Sequence, residues 1–239
     1  MTAPTEPETA PVGEWISNWQ PPNPFERTPL EGRDCRVEPL NVAAHGEALF
    51  DAWQADGASR WIYLGGRPFD DRKSCLRWLE HQAVLRDPMF MALVDQDSDR
   101  ALGVAAWLNI TPEHGTIELG HLSFSTKMAG TRMATEALHL LIDHAFTLGY
   151  RRMAWKCDAL NAPSRRAARR LGFRFEGLFR QHRVVQGRNR DTSWFALLDH
   201  EWPAIACAHR QWLAPDNFDA QGRQQQALSR LTARVLQEE

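Results

Sequence analysis

The spacing of apolar and polar residues predicts alternating strands and helices along most of the chain. Apolar residues recur at helical spacing over 41–55, 70–86 and 132–147, and a shorter helix is predicted at 161–171. Runs rich in β-branched and aromatic residues predict strands. These runs are DCRVEPL, MFMALVD, ALGVAAWLNI, TIELGHLSFS, RRMAWKCDAL, FRFEGLFRQHRVV and RDTSWFALLDHEW. The predicted order is strand, two helices, three strands, helix, strand, helix and two strands.

The connections between these segments predict how the strands pair. QDSDR and TPEHG are turn material between three successive strands, and QGRN between the last two indicates a hairpin. A strand–helix–strand crossing over 115–158 implies one parallel pair inside a mixed sheet. The sequence therefore predicts an α/β (α+β) fold with a mixed, mostly antiparallel central sheet of about seven strands, flanked by helices.

The two ends of the chain differ from its middle. Half of the fourteen prolines fall in the first 29 residues, so residues 1–29 are expected to form a Pro-rich, partly disordered arm. Residues 30–213 are expected to form the domain, and residues 214–239 a polar helical tail. The tail has apolar residues at 228, 231 and 235, a narrow helical face that packs either on the domain or on a second subunit in a homodimer.

Composition excludes several classes of protein. No run of about 18 apolar residues is present, and the N-terminus lacks the basic and apolar segments of a signal peptide. The four cysteines are far apart, which is typical of free thiols in a cytoplasmic protein. His139 and His144 are five residues apart, the wrong spacing for one helix face, so we expect no metal site. Because no apolar run is long enough to span a membrane, we also expect no membrane partner.

Charge is distributed unevenly. Residues 127–190 contain fourteen Lys and Arg against four Asp and Glu, a local excess of +10, although the whole chain has a net charge of −2. Such a field attracts an anionic partner, which could be nucleic acid, a membrane surface or a polyphosphate cofactor. Aromatic residues do not interleave with the basic ones, which argues against nucleic acid.

A small-residue turn, STKMAGTR, joins the strand that ends at Phe124 to the helix that begins near Arg132. The first amides of such a helix have no internal acceptors and attract anions. Gly130, Thr131 and Ala134 leave room for a phosphate, and Lys127 and Arg132 add positive charge. The segment is neither a P-loop nor a dinucleotide fingerprint. An anion site and an ordinary helix start both remain open at this point.

The segment IELGHLSFSTKMAGTRMATEALHLLIDHAFTLGYRRMAWKCDALNAPSRRAARRLGFRFEGLFR resembles the GNAT superfamily of N-acetyltransferases, most of all its RimJ/RimL-like (ribosomal-protein N-terminal acetyltransferase) branch. The most specific parts are NAPSRRAARRLGFRFEG and ATEAL. The pyrophosphate loop departs from the family pattern: of Ala129, Arg132 and Ala134, which occupy its three defined places, only Ala134 fits. That leaves the exact register of the loop open.

The resemblance implies a sheet splayed between its fourth and fifth strands, with acetyl-CoA as co-substrate and no metal. It implies cofactor contacts along the fourth strand, the turn and the following helix starts: Leu122, Ser123, Phe124, Ala129, Gly130, Thr131, Arg132, Met133, Ala134, Thr135, Asn161 and Ser164. The expected reaction transfers the acetyl group to a primary amine by direct attack in a ternary complex. A non-catalytic acyl-CoA-binding module on the same fold is the alternative.

Catalysis would require a proton donor for the leaving thiolate and a means of deprotonating the amine. Ser164 is the expected donor, because it stands where the resembled branch has its serine. Glu118, His121 or a chain of water molecules is the expected base. Glu118 and His121 are three residues apart on one strand, so a regular strand would direct them to opposite faces. The acceptor, a small molecule or a protein N-terminus, is left open, and its site is expected between the helices of 41–86 and the 180–194 hairpin.

Overall fold

The computed structural model describes residues 11–57, 61–64 and 69–237. Residues 1–10, the first part of the predicted Pro-rich arm, lie outside the described residues. The strands are β1 (Leu30–Glu31), β2 (Cys35–Pro39), β3 (Met89–Asp95), β4 (Ala101–Thr111), β5 (Thr116–Phe124), β6 (Arg152–Asp158), β7 (Arg174–Val185) and β8 (Arg188–Leu198). The α-helices are α1 (Val42–Asp56), α2 (Arg72–Val84), α3 (Arg132–Thr147), α4 (Ala162–Arg170), α5 (Trp202–Leu213) and α6 (Leu228–Gln237).

One sheet contains all of these strands, in the order β1-β2-β3-β4-β5-β6-β8-β7. Every neighbouring pair is antiparallel except β5 and β6, which are parallel and joined by the crossover through α3. The seven predicted strands are β2 to β8, and the two-residue β1 is an addition at the sheet edge. The predicted mixed, mostly antiparallel fold is therefore confirmed.

The sheet opens between β5 and β6, the fourth and fifth of the predicted strands. Their ladder extends only from Thr116 opposite Arg152 to Glu118 opposite Ala154. Beyond that point β5 continues to Phe124, paired with β4, and β6 continues to Asp158, paired with β8. Two strands that stay in the sheet while separating from each other must leave a wedge-shaped gap between them.

Helices cover both faces of the sheet and create two apolar cores. On one face Leu49 and Trp53 of α1 and Leu79 of α2 pack against Phe90 of β3. On the other, α3 and α5 cover the sheet, and α3 has the period of about 3.6 residues that gives a helix one apolar face. Helix starts are defined by side chains, since Asn41 and Asn161 each accept a hydrogen bond from an amide of the first turn, as the sequence indicates.

The described part of the N-terminal arm and helix α6 of the tail both pack against this core. Phe25 of the arm lies edge-on against Trp107 and Tyr150, with ring centroids 4.4 and 5.6 Å apart. In the tail, the side chains of Leu228 and Leu231 on α6 are buried in the α3-side core. The apolar face of the tail is thus covered within the chain, and the homodimer stays a prediction. No helix in the described part of the chain has the length and apolarity needed to cross a membrane.

Candidate active site

A cavity of about 1460 Å³ occupies the gap between β5 and β6. It extends from the start of α3, past the ends of both strands, to the β7–β8 hairpin. Every residue that the sequence analysis selected for the site lines this cavity except Ser123, Lys127 and Thr135. Ser123 is buried in the ladder with β4, opposite Val104, and the hydroxyl of Thr135 accepts a hydrogen bond from Arg170 inside the protein.

The turn before α3 presents backbone N–H groups to this cavity. The amides of Met128 and Ala129 donate to the Ser125 carbonyl, and the Thr131 hydroxyl caps the amide of Ala134. Within the described residues, the amides of Gly130, Arg132 and Met133 have no hydrogen-bond acceptor. These donors stand at the positive end of a sixteen-residue helix, which is the arrangement that binds phosphate groups.

Gly130 has a backbone conformation that suits this turn. Its φ is +78°, in the left-handed region, and a β-carbon built there would meet no atom within 4 Å. The space in front of Gly130 is therefore open, and the residue lets a ligand approach the backbone closely.

Arg132 is paired within the protein. Its Nε and Nη2 atoms donate to the two carboxylate oxygens of Asp34 at 2.7 and 2.5 Å, and its guanidinium lies over the ring of Phe218. Burial would raise the pKa of Asp34, yet the hydrogen bonds from Arg132 and Arg33 hold that pKa below its ordinary value. The side-chain charge of Arg132 is thus largely neutralised, and its backbone amide is what remains available to an anion.

Glu118 forms a polar cluster at the point where β5 and β6 separate. Its carboxylate accepts a hydrogen bond from Asn109 at 2.7 Å and forms an ion pair with Lys156 of β6 at 2.8 Å. Burial raises the pKa of Glu118 above its ordinary value, although the two partners oppose this. The ammonium group of Lys156 also lies 5.2 Å from the ring centre of Trp194.

A bulge in β5 changes the direction of His121. Between the paired positions Ala106–Gly120 and Val104–Ser123, β4 advances by two residues and β5 by three, and His121 has a φ of +49°. The ring of His121 lies 5.1 Å from that of Phe90, on the α1–α2 side of the sheet.

The prediction that Glu118 and His121 face opposite sides was therefore wrong. The extra residue of the bulge cancels the alternation, so both side chains line the same cavity. Desolvation and the nearby charge of Lys156 lower the pKa of His121 below its ordinary value.

Ser164 lies in the first turn of α4, where Asn161 caps its amide. The indole Nε1 of Trp155 donates to the Ser164 hydroxyl at 3.0 Å. A hydroxyl that accepts from an indole keeps its own proton free to donate. Ser164 lines the cavity close to Cys157. Burial raises the pKa of the Cys157 thiol, and the hydrogen bond between Ser164 and this thiol lowers it in part.

The arginines of α4 have separate roles. Arg165 donates to the Ala159 carbonyl, Arg169 lies over Phe195, and Arg170 donates to Thr135. Arg166 lines the cavity and is exposed, with no ion-pair partner within the described residues. Of the four, Arg166 is the one available to an anionic ligand.

Sequence reasoning missed Asn109, Lys156 and Trp155, which come from two strands on either side of the gap. Lys156 and Trp155 lie in the predicted strand RRMAWKCDAL. A lysine among the apolar residues of a strand could have indicated that Lys156 has a buried acidic partner. Among the described residues no group of three or more His, Cys, Asp or Glu side chains is placed to hold a metal ion.

Comparisons with known proteins agree with this geometry. Residues 36–174 match the family profile described as an acetyltransferase (GNAT) domain. A relative described as "Uncharacterized N-acetyltransferase p20", from Bacillus licheniformis, is 31% identical over 144 residues, covering 59% of this chain and 80% of the relative.

Solved structures show the same similarity. A GCN5-related N-acetyltransferase from Brucella melitensis is 44% identical with a TM-score of 0.89, covering 91% of this chain and all of that one. A probable GNAT-family acetyltransferase from Chromobacterium violaceum is 41% identical with a TM-score of 0.76, covering 83% of this chain and all of that one.

A more distant structure shares the fold alone. The microcin C7 self-immunity acetyltransferase MccE, in complex with acetyl-CoA and AMP, is 16% identical with a TM-score of 0.63. The match covers 70% of this chain and 93% of that one.

Proposed function

Since the chain belongs to the GNAT family of acetyltransferases, we propose that it transfers the acetyl group of acetyl-CoA to a primary amine. One observation carries this proposal: a single cavity connects the unpaired amides of Gly130, Arg132 and Met133 to the polar cluster of Glu118 and Lys156. Such a cavity brings an anion-binding end and a proton-transfer end together. The complex of the distant neighbour MccE with acetyl-CoA supports the same cofactor here.

The residues present fit acetyl-CoA. Three unpaired amides at a helix start suit a pyrophosphate, and the gap beside Leu122 and Phe124 leaves room for an extended pantetheine arm along β5. The bound cofactor would supply a thioester as the acyl donor. Asn161, which both caps α4 and lines the cavity, is a further contact in this proposal.

Proton removal from the amine is assigned to the Glu118–His121 side of the cavity. The imidazole of His121, and the Glu118 carboxylate whose pKa is raised by burial, are both groups that can act as a general base. Lys156 keeps the Glu118 carboxylate oriented through its ion pair. Glu118, His121 and a water molecule held between them all remain candidates for the base.

Ser164 is proposed to donate a proton to the departing thiolate. Its position fits, because Ser164 lines the cavity and its oxygen accepts from Trp155, which leaves the hydroxyl proton, now hydrogen-bonded to the Cys157 thiol, as the group that can be donated. A general acid is typically worth about 10²–10⁴-fold, and because a thiolate leaves readily we expect Ser164 to contribute about 10-fold or more, at or below the lower end of that range.

We also propose the RimJ/RimL-like branch and a cytoplasmic location. The branch is supported by the Asn161-x-x-Ser164 helix start followed by Leu171, Gly172 and Phe173. The location is supported by four free cysteines, of which Cys207 is exposed.

Release of free CoA thiol from acetyl-CoA, measured with a panel of primary amines and amino-terminal peptides, tests this function. Mass spectrometry of the amine should show the acetylated product. Tight binding of acetyl-CoA without acetylation of any amine in the panel would instead favour a non-catalytic acyl-CoA-binding module.

A further inference from the structure

Two arginines face each other on the β7–β8 hairpin at the end of the cavity remote from the start of α3. Arg183 of β7 and Arg190 of β8 are direct cross-strand partners, and both line the cavity. Like charges directly opposite each other on neighbouring strands destabilise a sheet. We therefore expect that a bound anion compensates the repulsion between these two side chains.

No acidic side chain compensates the pair within the described residues. Neither arginine forms an ion pair there, and the Nε atom of Arg190 is buried without a hydrogen-bond acceptor. Carboxylates of the neighbouring segments have other partners: Asp191 accepts from the Gln181 amide, Asp158 accepts from the Leu160 amide, and Glu118 pairs with Lys156. A buried guanidinium N–H without a partner costs free energy that an anionic ligand would recover.

The pair lies near the proposed reacting centre. The charge of Arg183 acts on the Glu118 carboxylate, and that of Arg190 acts on Cys157 near the end of β6. Lys156 is the third cation of this region, but it is paired with Glu118. The two arginines thus have no ion-pair partner among the described residues, and they lie at the end of the cavity where the proposed reaction would admit the amine.

We propose that Arg183 and Arg190 together bind an anionic group of the acceptor, so that the substrates are amines that also have a carboxylate or a phosphate. The planar guanidinium fork matches both groups and binds them through two parallel hydrogen bonds. This inference rests on the proposed acetyl transfer, since it names the acceptor class of that site.

Two matched pairs of amines test the proposal. Alanylglycine is compared with its C-terminal amide, and phosphoethanolamine with ethanolamine, so each pair differs in the anionic group. The proposal expects kcat/KM to be about 10- to 100-fold higher for the anionic member of at least one pair, the effect of a charge-assisted hydrogen bond. Which pair shows the preference identifies carboxylate or phosphate as the ligand.

Variants connect the preference to the arginines. Arg183→Gln and Arg190→Gln should each reduce kcat/KM of the anionic amine towards that of its neutral partner, with the affinity for acetyl-CoA unchanged. Arg188→Gln is the matched control, because Arg188 is exposed at the start of β8 and outside the cavity lining. Removing one of two repelling charges should not lower the melting temperature of either variant.

Each outcome is decisive. Equal kcat/KM within both pairs, or weakened acetyl-CoA binding in Arg183→Gln or Arg190→Gln, overturns the proposal. If no amine is acetylated, calorimetry on the CoA-bound protein decides. If the anionic member of a pair binds more tightly than the neutral member, and Arg190→Gln abolishes this difference, the arginine site is upheld although the proposed acetyl transfer fails. If the two members of each pair bind equally well, the arginine site is overturned.

Discussion

Replacing Gly130 by valine is the most direct test of the proposed pyrophosphate site. Gly130 has a φ of +78°, and a β-carbon built there would meet no other atom within 4 Å, so the main cost of valine to the fold is its backbone conformation. It would instead occupy the space in front of the unpaired amides of Gly130, Arg132 and Met133. We expect weaker CoA binding with the fold intact.

The expected magnitudes follow from this geometry. A side chain in the left-handed region costs about 1–2 kcal/mol per residue, and somewhat more when it is β-branched. For a chain of this size each kcal/mol lowers the melting temperature by about 2–4 °C. Loss of one charge-assisted hydrogen bond from an amide to a phosphate costs about 1.5–3 kcal/mol, which weakens the Kd by about 10- to 100-fold.

Gly187→Val is the matched control for Gly130→Val. Gly187 has a φ of +73°, also with nothing within 4 Å of a built β-carbon, but it lies in the β7–β8 turn outside the cavity lining. Both variants should lose similar stability in thermal melts, and calorimetry should show weaker CoA binding in Gly130→Val alone. Unchanged CoA affinity in Gly130→Val would refute the assignment of the turn as the pyrophosphate site.

Other variants test the remaining assignments. Ser164→Ala should lower kcat by about 10-fold or more with little change in CoA affinity, whereas an unchanged kcat with a lower melting temperature would make Ser164 a structural residue only. The kcat/KM should fall as the pH drops through the pKa of the base, because the base becomes protonated. If this decrease at low pH disappears in Glu118→Gln, Glu118 is the base, and if it disappears in His121→Asn, His121 is the base. A decrease that persists in both variants indicates that water removes the proton. Leu231→Ala should cost about 2–5 kcal/mol in the free energy of unfolding, measured by urea denaturation, because Leu231 is buried within the chain. Light scattering of the chain with and without residues 218–239 tests the predicted tail-built homodimer, which equal protomer numbers for both would contradict.

The fold could be predicted from the sequence wherever the spacing of apolar residues within one element reveals whether that element is a strand or a helix. β2 to β8 each have enough residues for alternation or continuous apolarity to be visible, and the crossover through α3 requires the parallel pair. β1 has two residues and no pattern, so it could not be predicted. Its position depends on pairing with β2, at Leu30 opposite Val37.

The candidate site was predictable only where its residues are contiguous. The turn at 129–135 and the α4 start at Asn161 and Ser164 are consecutive stretches with recognisable chemistry. The cluster around Glu118 was not predictable, because Asn109 and Lys156 reach it from strands on either side of the gap. Glu118 and His121 were predicted to face opposite sides of the sheet, because a single extra residue in β5 has no signature in an alternation pattern.

The pairing of Arg132 with Asp34 gives a physical reason for the unusual sequence of the turn. If the turn bound an anion through its side chains, the loss of two of three family positions would remove the site. A guanidinium already neutralised by Asp34 adds little charge, so at the proposed pyrophosphate site the attraction would come from backbone amides and the helix dipole, which do not depend on side-chain identity. The requirement on sequence then reduces to small residues and a left-handed position at Gly130, and the turn meets both. The same reasoning distinguishes the other end of the cavity, where Arg183 and Arg190 have no acidic partner in the described chain and their side-chain charge remains available to an anion.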